Sequence, residues 1–486
     1  MTTFSKLYPN EAANTTSLHV GSNSGITSLA GIERLTNLRT LNCTHQPNLS
    51  DFEALNKLPN LEHIDLSYCK HMTDISFARH MPKLRSISLA GYTVKDLSPL
   101  VGLPQLQKVR LYGCRVINPE VLGELTGLDD LLLVEGIRKI KDISFLQNLT
   151  SLESLSMWQQ QIEDITPLKN LVNLRELELS KNEITDISVL ANLTELEHLE
   201  LNENKVHDIS ALSQLYNLES VNLQNNQIEN IDPLKGLSGM RNLDVSDNQL
   251  QDINVVKYMP QIYELRVVSN QLTDIEVVTN LNELTDLAIE GNDNIKGFDK
   301  LFTYFRKNEG LSFIMMLGFD VYRYGGGEVK PEAPQTGKTL ADMIAETATE
   351  GLENLHQLNI SNYLLPEGGR ELAELAKLPN LQTLYANNCG IVDLSTFPTL
   401  KNLNYLYLNH NQIVNVDALA NLEQLKDLDV SHNQITDASA ITKLKKLSTL
   451  YLIGNELTKL DELMTYIEKN YDLWTVNLMG FEMNRG

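Results

Sequence analysis

The chain has 486 residues, 42% hydrophobic and only 6% aromatic, with 40 basic against 63 acidic side chains and a formal charge of −23. So acidic a surface repels phosphate backbones and anionic bilayers, which argues against nucleic acid as a partner. No stretch reaches the roughly 18 apolar residues that a membrane span requires, and the four cysteines, Cys43, Cys69, Cys114 and Cys389, include no CxxC pair and are too scattered for a disulfide framework.

Taken in chain order, the first residues, MTTFSKLYPNEAANTT, hold no apolar run of signal-peptide length. As written the chain is expected in the cytoplasm, and outside the cell or on its surface if a leader has been removed. From about residue 35 to about 292 a single frame then recurs, LxxLxxLxLxxNxIxDIxxLxx. It is clearest in LVNLRELELSKNEITDISVLAN (171–192), LTELEHLELNENKVHDISALSQ (193–214) and LYNLESVNLQNNQIENIDPLKG (215–236). Blocks at 35–57, 58–80 and 125–148 carry one or two extra residues.

Each part of the frame has a physical cause. Leu177 and Leu179 alternate with Glu176, Glu178 and Ser180, the period of a short strand with one buried face. An Asn closes each strand, as Asn182, Asn204, Asn226, Asn248, Asn270 and Asn292. Its amide both donates and accepts, so stacked copies form a ladder that satisfies buried backbone at the turn. The Asp-Ile step (Asp186–Ile187, Asp208–Ile209) caps the turn, and Pro99, Pro167 and Pro233 suit a short 3₁₀ return. One repeat cannot bury its own leucines, but a stack can. Cys69, Cys114 and Cys389 fall on the ladder position and Cys43 on a buried strand position, so all four read as structural thiols. Cys69 and Cys114 sit two strands apart, about 9–10 Å at normal spacing, too far for a disulfide.

The repeat stops near residue 295 and gives way to KGFDKLFTYFRKNEGLSFIMMLGFD (296–320). The end of the chain, TKLDELMTYIEKNYDLWTVNLMGFE (458–482), matches it after a shift of 162: Asp299 with Asp461, Tyr304 with Tyr466, Asn308 with Asn470, Phe319 with Phe481. A solenoid end exposes leucines and needs a cap, so both segments are read as an amphipathic helix followed by a last strand. The expected architecture is therefore an α/β leucine-rich-repeat horseshoe with a parallel concave sheet, built as two capped solenoids in tandem. The first solenoid covers 1–322 with its cap at 296–320. A linker rich in Gly and Pro follows at 323–338. The second solenoid covers 339–486, with an N-terminal helix over 339–354, repeats from 378 and a cap at 458–486.

The 22-residue period, the NxIxDI step and the Pro in the return segment resemble the leucine-rich-repeat domain of the bacterial internalin family over most of residues 35–295 and 378–455. The resemblance implies a curved solenoid that binds a host or cell-surface protein on its concave sheet. Eukaryotic phosphatase-regulating repeat proteins share a similar period and imply the alternative, a cytoplasmic scaffold or regulatory subunit of an enzyme.

Nothing in the chain spells catalysis. TGKT (336–339) lacks the first Gly of a phosphate loop, since Glu332 occupies that position, and no strand precedes it. The ten histidines show no HExxH spacing. His410 and His432 lie one repeat apart and read as a stacked, solvated pair, with a two-His metal site as the other reading. Paired carboxylates such as Glu176 and Glu178 face open solvent, which would not raise a carboxyl pKa for acid catalysis. No enzyme, cofactor or metal is expected.

A partner would meet the residues between the leucines. Most are small, polar or acidic, but two regions differ. Lys108, Arg110, Tyr112, Leu132, Val134 and Trp158 gather basic, aromatic and aliphatic groups on neighbouring strands, the composition of an interface hot spot. In the second solenoid Tyr385, Tyr405, Tyr407 and Tyr451, with His410 and His432 nearby, offer contact area at low entropy cost. The other reading of these faces is β-propensity alone or contact between the two solenoids. Between the two regions, Glu176, Glu178, Glu200 and Glu203 form an acidic stretch.

Overall fold

The computed structural model describes residues 2–11, 13–91, 94–134, 139–323, 331–397 and 400–485; most of the Gly-rich centre of the expected linker, 324–330, lies outside them. The chain forms two compact units, Met1–Leu250 with Tyr258–Ile262, and Gln251–Lys257 with Tyr263–Gly486.

In the first unit a four-residue helix α1 (Phe4–Leu7) is followed by eleven strands, from Ser17–His19 to Asn242–Asp244. Each pairs in parallel with the next. In the regular part the register advances by one repeat, so that Glu176 faces His198 and Ser220 faces Asn242. The alternation fixes which side chains enter the core: Leu177, Leu179, Leu199 and Leu201 are at most 1% exposed, while Glu176 and Glu178 face out. The return segments are 3₁₀ turns, as expected. Pro99, Pro167 and Pro233 occupy their first turns, where a missing N–H costs nothing. Asp186 and Asp208 accept the backbone N–H of Ser188 and Ser210 at 2.8 Å. Those bonds hold both carboxyls below the usual range.

The Asn ladder saturates buried backbone in two successive repeats. Asn204 Nδ2 donates to the carbonyls of Leu179 and Leu201 at 2.9 and 3.0 Å, and its Oδ1 accepts the Ile184 N–H at 3.1 Å. Asn182, Asn226 and Asn248 repeat the pattern. The residue just before the Asn takes a left-handed conformation (Lys181 φ 57°, Glu203 φ 56°), which turns the chain off the strand. Cysteine fills the rung with a weaker donor: Cys69 Sγ donates to Cys43 O at 3.2 Å and Cys389 Sγ to Ile360 O at 3.1 Å. Gln46 and Gln160, both 1% exposed, are rungs that the Asn pattern conceals.

Burial pushes the Cys69 thiol up to about 11, those of Cys114 and Cys389 up to about 12, and that of Cys43 higher still. All four therefore stay protonated at neutral pH and are poor nucleophiles. We expect no alkylation of the folded chain by iodoacetamide at pH 8 and four modified sites after unfolding, counted by mass spectrometry; rapid labelling of a folded thiol would contradict this packing. The raised folded pKa values also mean that their stabilising contribution is complete below about pH 9, the ordinary thiol value, and is lost as pH rises through 11–12.

The second unit holds the strands Glu264–Arg266 and Asp286–Ala288, then helix α2 (Phe298–Lys307) and a hairpin of Phe313–Met316 with Phe319–Arg323. Helix α3 (Leu340–Thr347) opens with a capping box, Thr339 and Asp342 bonding each other's backbone N–H. Five strands follow, from Gln357–Asn359 to Thr449–Tyr451, and helix α4 (Leu460–Lys469) leads to the hairpin of Thr475–Leu478 with Phe481–Asn484. Helices α2 and α4 stand where the repeated segment predicts helix, packed against the 3₁₀ turns Glu276–Asn280 and Ser439–Lys443. Tyr304 and Tyr466 donate their hydroxyls to the carbonyls of Leu281 and Leu444, and Asn308 and Asn470 donate to those hydroxyls at 2.9 Å. Among the described residues, no helix is long and apolar enough to cross a membrane.

Candidate functional site

Because the leucines point inward, the intervening residues make rows across the outward face of the sheet. In the second unit the residues at the ends of the strands align as Asn359, Tyr385, Tyr407, Asp429 and Tyr451. The row beside it runs Gln357, Thr383, Tyr405, Asp427 and Thr449. The four expected tyrosines are thus brought together, all half-buried. Tyr385 and Tyr407 stack with ring centroids 4.8 Å apart and planes 5° from parallel. Asp429 stands between Tyr407 and Tyr451, fixed by the Ser431 N–H at 2.9 Å and Asn409 Nδ2 at 2.7 Å.

Sequence reasoning found the tyrosines but not Asp427 and Asp429, which read as two more outward acids until the register seats them among the rings. Burial, and next the Asp427 carboxylate, pushes Tyr407 up to about 12, so its hydroxyl stays protonated as a donor. Neither row contains a Lys or Arg. Beside them, His410 and His432 stack at 4.4 Å with planes 4° apart, as their one-repeat spacing predicts. Both occupy the left-handed position before a ladder Asn. His45 and Tyr68 stack at the same kind of turn in the first unit, at 4.6 Å; their place before Gln46 and Cys69 was the overlooked signal. Among the described residues, no group of three or more His, Cys, Asp or Glu is arranged to hold a metal.

In the first unit Lys108, Arg110 and Tyr112 share the strand Lys108–Tyr112, which pairs with Asp130–Val134. Lys108 and Arg110 are outward but not free charges. Arg110 clamps the buried Asp130 with Nε and Nη2, and Lys108 Nζ approaches the same carboxylate at 3.5 Å. Leu132 is half-buried in register with Arg110. Val134 corrects the expectation, for it is only 3% exposed. It lies in register with Tyr112 and two residues past Leu132, as Trp158 lies two past Ser156, which pairs with Leu132. Small side chains at this position of the frame are buried elsewhere in the stack too, as Ser67, Ala90, Ser180 and Ser246 show. Trp158 is half-buried just beyond its strand. The acidic row is hydrogen-bonded internally: Ser156 Oγ donates to Glu178, and burial raises the Glu200 carboxyl against a bond from Asn222. Glu203 pairs with Lys181 at 3.1 Å.

Residues 172–214, 216–258, 379–421 and 423–463 match the family described as leucine-rich repeats, two copies. Among solved structures, the internalin InlF from Listeria monocytogenes is 24% identical over 87% of this chain and 87% of its own, with a TM-score of 0.43. A leucine-rich-repeat protein from Leptospira interrogans is 20% identical over 88% of this chain and 98% of its own, with a TM-score of 0.49. The functional domain of InlJ from Listeria monocytogenes, described as including a cysteine ladder, is 20% identical over 90% and 74%, with a TM-score of 0.44. No curated protein matches in sequence. With its 22-residue frame, parallel stack and 3₁₀ returns on the page, the chain has the leucine-rich-repeat fold, and four of its stretches match the model of that repeat family.

Proposed function

We propose that this protein is an adaptor that recognises a partner protein on the outward face of its sheet. The tyrosine stripe of residues 385–451 is its principal contact, and an extended segment carrying Lys or Arg is the ligand it suits. One observation carries the reading: Tyr407 and Tyr451 flank Asp429 in register, with Asp427 in the adjacent row and no basic side chain in either. A cation seated there meets carboxylate and ring faces together, worth about 0.5–2 kcal/mol per ring. The chain's charge of −23 steers such a partner toward it. Lys108, Arg110, Tyr112, Leu132 and Trp158 form a second contact of the same adaptor, with Val134 as support beneath.

The test is a peptide library scored by fluorescence anisotropy. We expect basic, aromatic-containing peptides to bind and acidic isosteres to fail. Tyr407→Ala should weaken the best binder about 30-fold, the loss of roughly 2 kcal/mol typical of a central aromatic contact, with an unchanged melting temperature. Equal binding by acidic peptides, or full affinity in Tyr407→Ala, would refute the assignment.

A further inference from the structure

The two terminal hairpins meet edge to edge. Phe319–Arg323 runs antiparallel to Phe481–Asn484, pairing Asp320 with Asn484, Val321 with Met483, Tyr322 with Glu482 and Arg323 with Phe481. Under the 162-residue shift that relates the two chain segments, Val321 and Met483 are counterparts. The pair Asp320–Asn484 likewise becomes Glu482–Tyr322. The register therefore maps onto itself when the halves are exchanged, the signature of an isologous two-fold interface.

Side chains cross the joint in both directions. Phe481 meets Phe302 and Phe305 of helix α2 edge-on, each with centroids 5.9 Å away. The Arg485 guanidinium lies 4.5 Å over the Phe319 ring. Asp461, in the first turn of α4, accepts the N–H groups of Gly297 and Phe298 at the start of α2, at 3.0 and 3.3 Å. The carboxyl of its counterpart Asp299, in the first turn of α2, is raised by burial at this joint and by the Asp461 carboxylate. The acid of α4 thus caps the start of α2. Val321 and Met483 are fully buried. Pairing also covers two strand edges that would otherwise invite aggregation.

We propose that the chain is a two-fold dimer fused into one polypeptide: its two repeat-array ends bind each other through a self-complementary cap and not only through the covalent chain. The proposal rests on reading the chain as two capped arrays and is independent of the tyrosine stripe.

A protease site placed within 324–330 of the full chain tests it. After complete cleavage, size exclusion with light scattering should return one species with the 54.7 kDa mass of the intact chain. Separation of the two fragments at micromolar concentration would overturn the proposal. Asp461→Ala, at an exposed position, should weaken reassociation of the cut fragments about 5-fold, since a lost helix cap costs about 1 kcal/mol. Met483→Arg should separate them while circular dichroism still shows two folded pieces. If Met483→Arg unfolds the chain, the Asp461→Ala result decides, and unchanged reassociation there would overturn the proposed joint.

Discussion

Replacing Asn204 by Leu is expected to cost about 3–5 kcal/mol although the two side chains are similar in size. The substitution leaves the N–H of Ile184 without a partner in a dry interior and takes one of two donors from the carbonyls of Leu179 and Leu201, which Asn182 and Asn226 still serve. The orphaned N–H costs about 1–3 kcal/mol and each of the two lost bonds about 1 kcal/mol, and added apolar surface recovers only part of it. Asn204→Cys should cost about half as much, because a thiol at this rung still donates to the preceding repeat, as Cys69 and Cys389 do. In a repeat array the damage stays local, so amide hydrogen exchange is the appropriate readout. Protection should fall in the repeats flanking residue 204 and hold at the chain ends. A loss below 1 kcal/mol for the Leu variant would show that solvent reaches the ladder.

Phe481→Ala is expected to cost about 3–5 kcal/mol, the range for deleting a fully buried aromatic ring. Phe481 is 1% exposed and completes a cluster with Phe302 and Phe305, which are themselves edge-on at 5.6 Å. Three rings with T-shaped contacts bury large areas and gain quadrupolar attraction beyond it. The strand Phe481–Asn484 also lies between two neighbours, so the hole cannot close by moving one edge. Urea unfolding followed by circular dichroism measures the loss, and Phe481→Leu, which refills much of the volume, should recover more than half of it. A neutral Phe481→Ala would mean that the cluster is not packed.

The repeat was legible because its cause is local. Leu177 and Leu179 are two apart, and Asn182 closes the same strand, so periodicity alone placed them in the core and on the ladder. Pro167 and Asp186 marked the return segments for equally local reasons. The departures come from contacts the linear frame does not encode. Gln46 and Gln160 serve as rungs through one additional methylene, which breaks the Asn pattern without breaking the bond. Val134 occupies the strand-end position at which small side chains are buried elsewhere in the stack, as Ser180 and Ser246 are. Asp429 became part of a site only when pairing set it between Tyr407 and Tyr451, residues 22 positions away on either side. The shift of 162 revealed that 296–320 and 458–482 repeat. That Val321 then pairs with Met483 depends on the meeting of two edges far apart in sequence.

The account rests on alternation across each strand: leucines inward, the intervening residues outward and open to a partner. Single cysteines introduced in turn at Tyr405, Leu406, Tyr407 and Leu408, against a background whose own thiols are buried, test it directly by rate of alkylation. Positions 405 and 407 should label within minutes at pH 8, and positions 406 and 408 only on unfolding. Equal rates at all four positions, or fast labelling at 406 and 408, would contradict the register on which the proposed recognition face depends.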